Sequence, residues 1–404
     1  MAYADYPFPP STPIYPPASV VCTYLRRYAE HFGLIPHIRF NTTVVSVEQN
    51  STTHQWEVTI STGESFLFDS IVVCNGKYRV PRFPDTPGLD TWLSKGKASH
   101  SAWYRRPADL SGNNVILVVG CGPSGRDITI ELLSVPDESR TIIHSITGAS
   151  NEDKGNLKIR GQISRFDDNN NGQGRVVFED GTIESGIDYC ILATGYQMSF
   201  PFFSDSVLRD AIPPFDTLPA LPDRLYNTTY GVFPFARHIF PLRAHDSKNL
   251  TLAFMIGLPI RVVPFPLFEA QARAIFHVFD NPNSFDCIQE TKDIIARYEQ
   301  LLDEVGNSPA RIAKVWHVVK GLGQFDYRDQ LHELAKESFR VEEWERLMYA
   351  NKDVLRQVWK MLEKSGEAEN WVKGIGENGR REWVGVLERM LGRAREEGLP
   401  VVDL

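Results

Sequence analysis

The chain has 404 residues, 42% of them hydrophobic and 23% charged, the composition of a globular protein with room for two or three domains. Its formal net charge of −8 argues against nucleic acid as the main partner, because proteins of that kind carry a basic face. The five cysteines, Cys22, Cys74, Cys121, Cys190 and Cys287, include no Cys-x-x-Cys pair, so neither a metal site nor a dithiol centre is expected.

Cys74, Cys121 and Cys190 stand in apolar strand or loop contexts and read as small buried residues of a reduced, intracellular protein. No signal-peptide pattern opens the sequence. The most apolar stretch, 250–268, contains Arg261 and several prolines and cannot span a bilayer as a simple helix. These features predict a cytoplasmic protein without a transmembrane segment.

Residues 1–17, rich in proline and tyrosine, read as extended. Val20, Tyr24, Leu25, Tyr28 and Phe32 recur at helical spacing and predict an amphipathic helix over 19–32. A strand is expected over 38–47, a hairpin over 56–68 around Ser61-Thr62-Gly63-Glu64, and a short buried strand over 71–74 that ends at Asn75-Gly76. After a proline-rich connector, the apolar run Val115–Val119 leads into Gly120-Cys121-Gly122-Pro123-Ser124-Gly125 and a helix to about Leu133. A strand follows over 141–146. Residues 150–174 are polar and read as a surface loop. A second hairpin surrounds Asp180-Gly181-Thr182, and the strand 189–192 ends at Ala193-Thr194-Gly195-Tyr196. A helix is expected over 265–280, and mostly amphipathic helix from about 285, broken near 306–309 and 321–323.

Two stretches resemble each other. Val58, Gly63, Asp69, Gly76 and Pro81 follow nearly the same spacing as Val177, Gly181, Asp188, Gly195 and Pro201. Each reads as a hairpin, an apolar strand, a small-residue turn and a proline, which predicts a divergent structural repeat. Counting the Gly120–Gly195 distance back from Gly76 reaches residue 1. The glycine loop of the first copy is therefore expected ahead of Met1, with roughly one βαβ unit of about 30 residues.

The pattern Gly120-x-Gly122-x-x-Gly125 follows a five-residue apolar strand and opens a helix, the context dinucleotide binding requires. Gly120 would allow the tight turn, Gly122 the approach of a pyrophosphate and Gly125 close helix–strand packing. Free N–H groups at the helix start would face the phosphates, provided the turn lies open. Cys121, Pro123 and Ser124 belong to the same candidate site. The next strand ends His144-Ser145-Ile146-Thr147 without the acid that usually holds NAD ribose. Ser145 and Thr147 are candidates for a 2′-phosphate and Arg126 for its cation, so NADPH is favoured over NADH.

The segment 94–104 resembles the fingerprint of flavin-containing monooxygenases, with Gly96, His100 and Tyr104 matching and Ser94 in place of its opening Phe. Leu192-Ala193-Thr194-Gly195-Tyr196 resembles that family's Phe-Ala-Thr-Gly-Tyr. Cys74-Asn75-Gly76 with Pro81, Tyr6-Pro7-Phe8-Pro9-Pro10, and Gly257-Leu258-Pro259 with Gln271 are also similar to it. The resemblance covers about residues 1–280. It implies an enzyme in which NADPH reduces FAD and the flavin, with O2, oxygenates a nucleophilic nitrogen or sulfur of a small molecule. The cofactor then supplies the reactivity, and no catalytic side-chain set is required.

The implied fold is α/β: two nested Rossmann-like dinucleotide-binding domains, the first N-terminally incomplete, and a C-terminal helical extension. The expected boundaries are 1–90 for a remnant of the FAD-binding domain, 91–197 for the NADPH-binding domain, 198–284 for the return to the first, and 285–404 for the extension. By resemblance, Thr194, Gly195 and His100 join the cofactor-binding set. His100 reads as a buttress of the domain junction rather than a proton donor. Val45, Asn75, Gly76 and Gln271, with Val44, Cys74 and Leu258, are the residues expected near a flavin. The alternatives are a flavin-free NADP-binding protein without oxygenase activity and a Baeyer–Villiger-type relative. The resemblance also leaves open a homo-oligomer and a peripheral place on the endoplasmic reticulum membrane.

Overall fold

The computed structural model describes residues 2–135, 140–168, 173–215, 218–243, 250–255 and 262–403. Two compact units emerge: Lys77–Ser199, and a larger one made of Met1–Gly76 with Phe200–Leu404.

The smaller unit is built on a six-stranded sheet in the order Ala98–His100, Tyr189–Leu192, Val115–Val119, Thr141–Ser145, Leu157–Arg160, Glu152–Lys154. The first five strands run parallel and the last is antiparallel. Ile116, Leu117, Val118, Ile142, Ile143, Cys190 and Leu192 have no exposed surface, as expected of continuous apolar strands covered on both faces. On one face lies the helix Pro123–Ser134, through Ile128 and Leu132. On the other, Trp92 packs with Phe166, Val176 and Phe178 of a three-stranded antiparallel sheet, Ile163–Asp168, Gly174–Phe178 and Ile183–Ile187.

The polar stretch expected to be a surface loop therefore holds strands. Leu157, Ile159, Ile163 and Phe166 provide enough apolar contact, and the charges are matched internally. Arg160 is 6% exposed, with its Nη2 2.6 Å from Glu184 Oε1 and its Nη1 2.6 Å from Asp153 Oδ1. The asparagines 169–171 lie outside the described residues.

The larger unit carries the matching piece of the repeat. Val44–Gln49, Trp56–Ile60 and Ser65–Phe68 form a three-stranded antiparallel sheet, followed by Ile71–Val73, which pairs in parallel with Leu252–Phe254. Both meanders have a register irregularity in their first strand pair, at Val44/Ser46 and at Ile163/Arg165. The first strand starts at Val44, later than its sequence pattern suggested. The helices Ala18–His31 and Pro264–Asp280 match their expected spans.

Three expectations need correction. The unit boundary falls after Gly76 rather than near 90, because Val80–Pro81 pairs with Tyr196–Gln197 and Phe166 N–H donates to Pro87 O. Residues 285–334 are no separate extension: Phe285, Ile294, Leu301, Trp316, Tyr327 and Leu331 share one core with Phe233, Ala253 and Leu267. Only the later helices, Glu343–Ala350, Lys352–Ser365, Ala368–Val372 and Arg380–Glu396, have a core of their own, around Trp359 and Met390. Finally, Cys74 is exposed, since it lies past the end of its strand. Among the described residues no helix is long and apolar enough to cross a membrane.

Candidate functional site

Val115–Val119 is the strand from which the parallel sheet winds outward in both directions. The chain leaves it through Gly120 and the helix Pro123–Ser134 toward Thr141–Ser145 on one side, and returns later to Tyr189–Leu192 on the other. Strand order thus reverses at its carboxyl end, the place where doubly wound sheets bind ligands.

Each glycine of the turn meets a different demand. Gly120 has φ +104°, and a Cβ there would lie 2.5 Å from Ala193 O. A Cβ on Gly125 would lie 1.9 Å from Gly120 O, so the helix rests directly on the turn. At Gly122 a Cβ would meet nothing within 4 Å, leaving open space beside the backbone. Gly122, Pro123, Ser124 and Arg126 are exposed, and Cys121 is half-buried. No side chain caps the helix. Pro123 has no N–H, Arg126 N–H donates to Gly122 O, and among the described residues no carbonyl takes the N–H groups of Ser124 and Gly125. Two unpaired backbone donors, at exposed Ser124 and buried Gly125, thus stand at the positive end of a helix of 12 residues, an arrangement suited to an anion.

A residue given no role in the sequence pattern holds this turn. His144 is buried, its Nε2 2.9 Å from Gly120 O and its Nδ1 3.3 Å from Thr129 Oγ1. A carbonyl only accepts, so Nε2 carries the hydrogen and Thr129 donates to Nδ1. Burial lowers the His144 pKa and keeps the ring neutral. Its place in an apolar strand gives no local signal of this partnership.

The other candidates divide. Thr147 is exposed beyond the end of the neighbouring strand. Ser145 is corrected: it is buried, and its hydroxyl donates to Gly161 O at 2.8 Å, so it is not available to a phosphate. Arg126 is exposed one residue past the turn, with Nε 3.3 Å from Cys121 Sγ. Thr194 and Gly195 follow the strand next to Gly120. The Thr194 hydroxyl donates to Arg82 O, and Gly195 O accepts from Arg82 N–H. His100 is fully buried, with Nε2 2.9 Å from Gly195 O and Nδ1 accepting from Ala102 N–H at 3.1 Å. Both ring nitrogens are engaged by backbone, so His100 is corrected from a ligand contact to a residue that positions Gly195. Burial lowers its pKa also.

The residues expected near a flavin lie in the larger unit. Val44 and Val45 are exposed on the first strand of its antiparallel sheet. Asn75 and Gly76 are exposed after Ile71–Val73, with Gly76 at φ +73°. Gln271 is corrected: it has no exposed surface, and its Nε2 donates to Tyr327 Oη at 3.2 Å within the helical core. Gly257, Leu258 and Pro259 are outside the described residues. Among the described residues of this unit no second glycine-rich strand-to-helix turn occurs. The helix Ala18–His31 opens on Pro17 and follows an extended segment rather than a strand. No group of three or more potential metal ligands occurs among the described residues either.

Comparison with known proteins gives a consistent result. The family model described as Flavin-binding monooxygenase-like matches residues 1–151 and 149–336. The flavin-containing monooxygenase FMO GS-OX-like 9 of Arabidopsis thaliana is 30% identical over 369 residues, covering 86% of this chain and 71% of the relative. The thiol-specific monooxygenase of Saccharomyces cerevisiae is 31% identical over 288 residues, 69% of this chain and 62% of the relative. Among solved structures, the S-allyl-L-cysteine S-oxygenase of Allium sativum superposes with a TM-score of 0.70 at 26% identity, covering 98% of this chain and 81% of that one.

Proposed function

The chain belongs to the flavin-binding monooxygenase-like family, whose enzymes use FAD and NADPH, and we propose that it binds NADPH at the Gly120–Gly125 turn and serves the oxygenation, with O2, of a nucleophilic nitrogen or sulfur in a small molecule. The observation that carries the nucleotide reading is the open glycine turn at the point where strand order reverses. Residues 77–199 form the NADPH-binding unit in this reading.

The residues present fit a nicotinamide dinucleotide. The amides of Ser124 and Gly125, beside the open space at Gly122, would hold its diphosphate, aided by the helix dipole, worth about 0.3–1 kcal/mol at an exposed terminus. His144 keeps Gly120 in place beneath it. Arg126 and Thr147 are assigned to the 2′-phosphate. Thr194 and Gly195, held by Arg82 and His100, border the same crevice through Ala193, whose carbonyl abuts Gly120. Bound NADPH supplies a hydride.

The fit to FAD is incomplete. Asn75 and Gly76 end a strand of the larger unit, but its described residues hold no second glycine-rich strand-to-helix turn for a second diphosphate. The experiment that tests the activity is an oxygenation assay on the purified chain with NADPH, added FAD and either a thioether or a tertiary amine. Formation of the S-oxide or N-oxide with matching NADPH consumption is expected. Colourless protein that binds NADPH but forms neither product would favour a nucleotide-binding role without oxygenase activity.

A further inference from the structure

The larger unit holds a cavity of about 660 Å³, far along the chain from the glycine turn, walled by Phe235, Ile294 and Trp316 and bordered by Arg237, His238 and Arg297. Arg237 and His238 form the two central positions of a hairpin turn between Phe235–Ala236 and Phe240–Pro241, closed by Ile239 N–H donating to Ala236 O at 3.0 Å. Both have positive φ, +50° and +56°. Such turns favour Asn-Gly, and a left-handed non-glycine residue costs about 1–3 kcal/mol. The surroundings hold this strained pair. Arg237 Nε lies 2.7 Å from Glu290 Oε1, and Tyr327 Oη donates to Arg237 O at 2.6 Å.

His238 is held through a second histidine. His317 Nε2 lies 2.8 Å from Val232 O, and the two Nδ1 atoms are 3.0 Å apart. Gly231 makes room for the His317 ring, since a Cβ there would lie 2.1 Å from its Cδ2. The carbonyl of Val232 requires hydrogen on His317 Nε2. In the uncharged pair His317 Nδ1 then accepts, His238 Nδ1 donates, and His238 Nε2 carries a bare lone pair. Among the described residues nothing hydrogen-bonds that nitrogen. Burial, then the neighbouring His317 and Arg297, pulls the His238 pKa well below 6.5.

The charges beside it are arranged by depth. Inside, Glu290 is buried and paired with Arg237. Arg297 is half-buried and bonded to Gln300 Oε1, Val315 O and Val318 O, while its Nε is buried without an acceptor. Among the described residues no carboxylate stands within ion-pair distance of Arg297. Asp293, Glu333 and Lys336 are exposed at the rim. The interior is thus net positive, with the Arg297 charge, a bare imidazole nitrogen and apolar walls.

We propose that this cavity binds a small organic acid, its anionic group seated between Arg297 and His238, with His238 Nε2 taking one proton from solvent as the acid binds. The hydrocarbon part lies against Phe235, Ile294 and Trp316. Because the proton adds to His238, affinity falls about tenfold per pH unit between the free and bound pKa values of that ring.

Benzoate and hexanoate are the probes. Calorimetric titration of the full chain at pH 7 in two buffers of different ionisation enthalpy should show binding with uptake of about one proton. His238→Asn, which tolerates the left-handed backbone, should abolish the uptake. Arg297→Gln should weaken binding at least about tenfold, and Lys336→Gln at the rim should change it less than about twofold. The wild-type buffer comparison stands even where a variant fails to fold. Failure of both acids to bind wild type at millimolar concentration, heat independent of buffer, or unchanged proton uptake in His238→Asn would each overturn the proposal.

Discussion

His144 Nε2 donates to the carbonyl oxygen of Gly120 across 2.9 Å, so a buried ring on one strand fixes the first glycine of the turn that ends the next. His144→Ala removes that donor and leaves Thr129 Oγ1 without its acceptor. Losing such a buried hydrogen bond costs about 1–3 kcal/mol. A lower thermal midpoint and weaker NADPH binding are expected together, measured by calorimetry and nucleotide titration. Loss of stability with unchanged affinity would mean the turn keeps its shape without His144.

Gly125 and Gly122 should respond in opposite ways to the same small change. A Cβ at 125 would lie 1.9 Å from Gly120 O, whereas at 122 it meets nothing within 4 Å. Gly125→Ala must push the helix off the turn, a cost of about 1–3 kcal/mol or more. Gly122→Ala should unfold at nearly the wild-type urea concentration. Equal midpoints for the two variants would contradict this geometry.

Acid should destabilise the protein through three histidines, His100 and His144 buried and His238 half-buried. Burial lowers the pKa of His100, His144 and His238, so the folded state prefers their neutral forms. Unfolded imidazoles titrate near 6.5. The stability they provide is present above about pH 6.5 and is lost as pH falls from there through the folded values, by up to about 1.4 kcal/mol per pH unit and histidine. Urea unfolding at pH 7.5 and 5.5 tests this, and equal stability at both would contradict it.

The charge network around Arg160 gives a fourth expectation. Arg160 and Glu184 are 6% and 9% exposed, while Lys154 and Glu152 form an exposed pair on the same sheet. Arg160→Ala leaves Glu184 with Lys158 Nζ at 2.9 Å as its remaining cation and should cost about 1–3 kcal/mol. Lys154→Ala should cost less than about 1 kcal/mol. Chemical denaturation of both variants makes the comparison.

The glycine turn was legible in the sequence because three glycines at fixed spacing follow an apolar strand, and only backbone demands explain all three. The repeat was legible for a similar reason: each hairpin carries its turn glycine, and each parallel strand follows an aspartate. What could not be read was partnership across distance. Nothing local marks Arg160 as the buried partner of Glu184, so the strands around it looked like loop. Ser145 and Gln271 looked like ligand-facing polar residues, yet each is committed to a partner in the core, Gly161 and Tyr327. His144 and the His238–His317 pair were invisible because a histidine's role depends on what its second nitrogen meets.

The central claim is that the amides after Val119 hold a nucleotide diphosphate. Titrating the purified chain with NADPH, in wild type and in Gly122→Val, tests it most directly, since the valine fills the open side of a turn that otherwise tolerates a side chain. Saturable wild-type binding that weakens at least about tenfold, or about 1.4 kcal/mol, in a variant of unchanged stability is the expected result. Absence of NADPH binding in wild type, or equal affinity in the two proteins, would contradict the account.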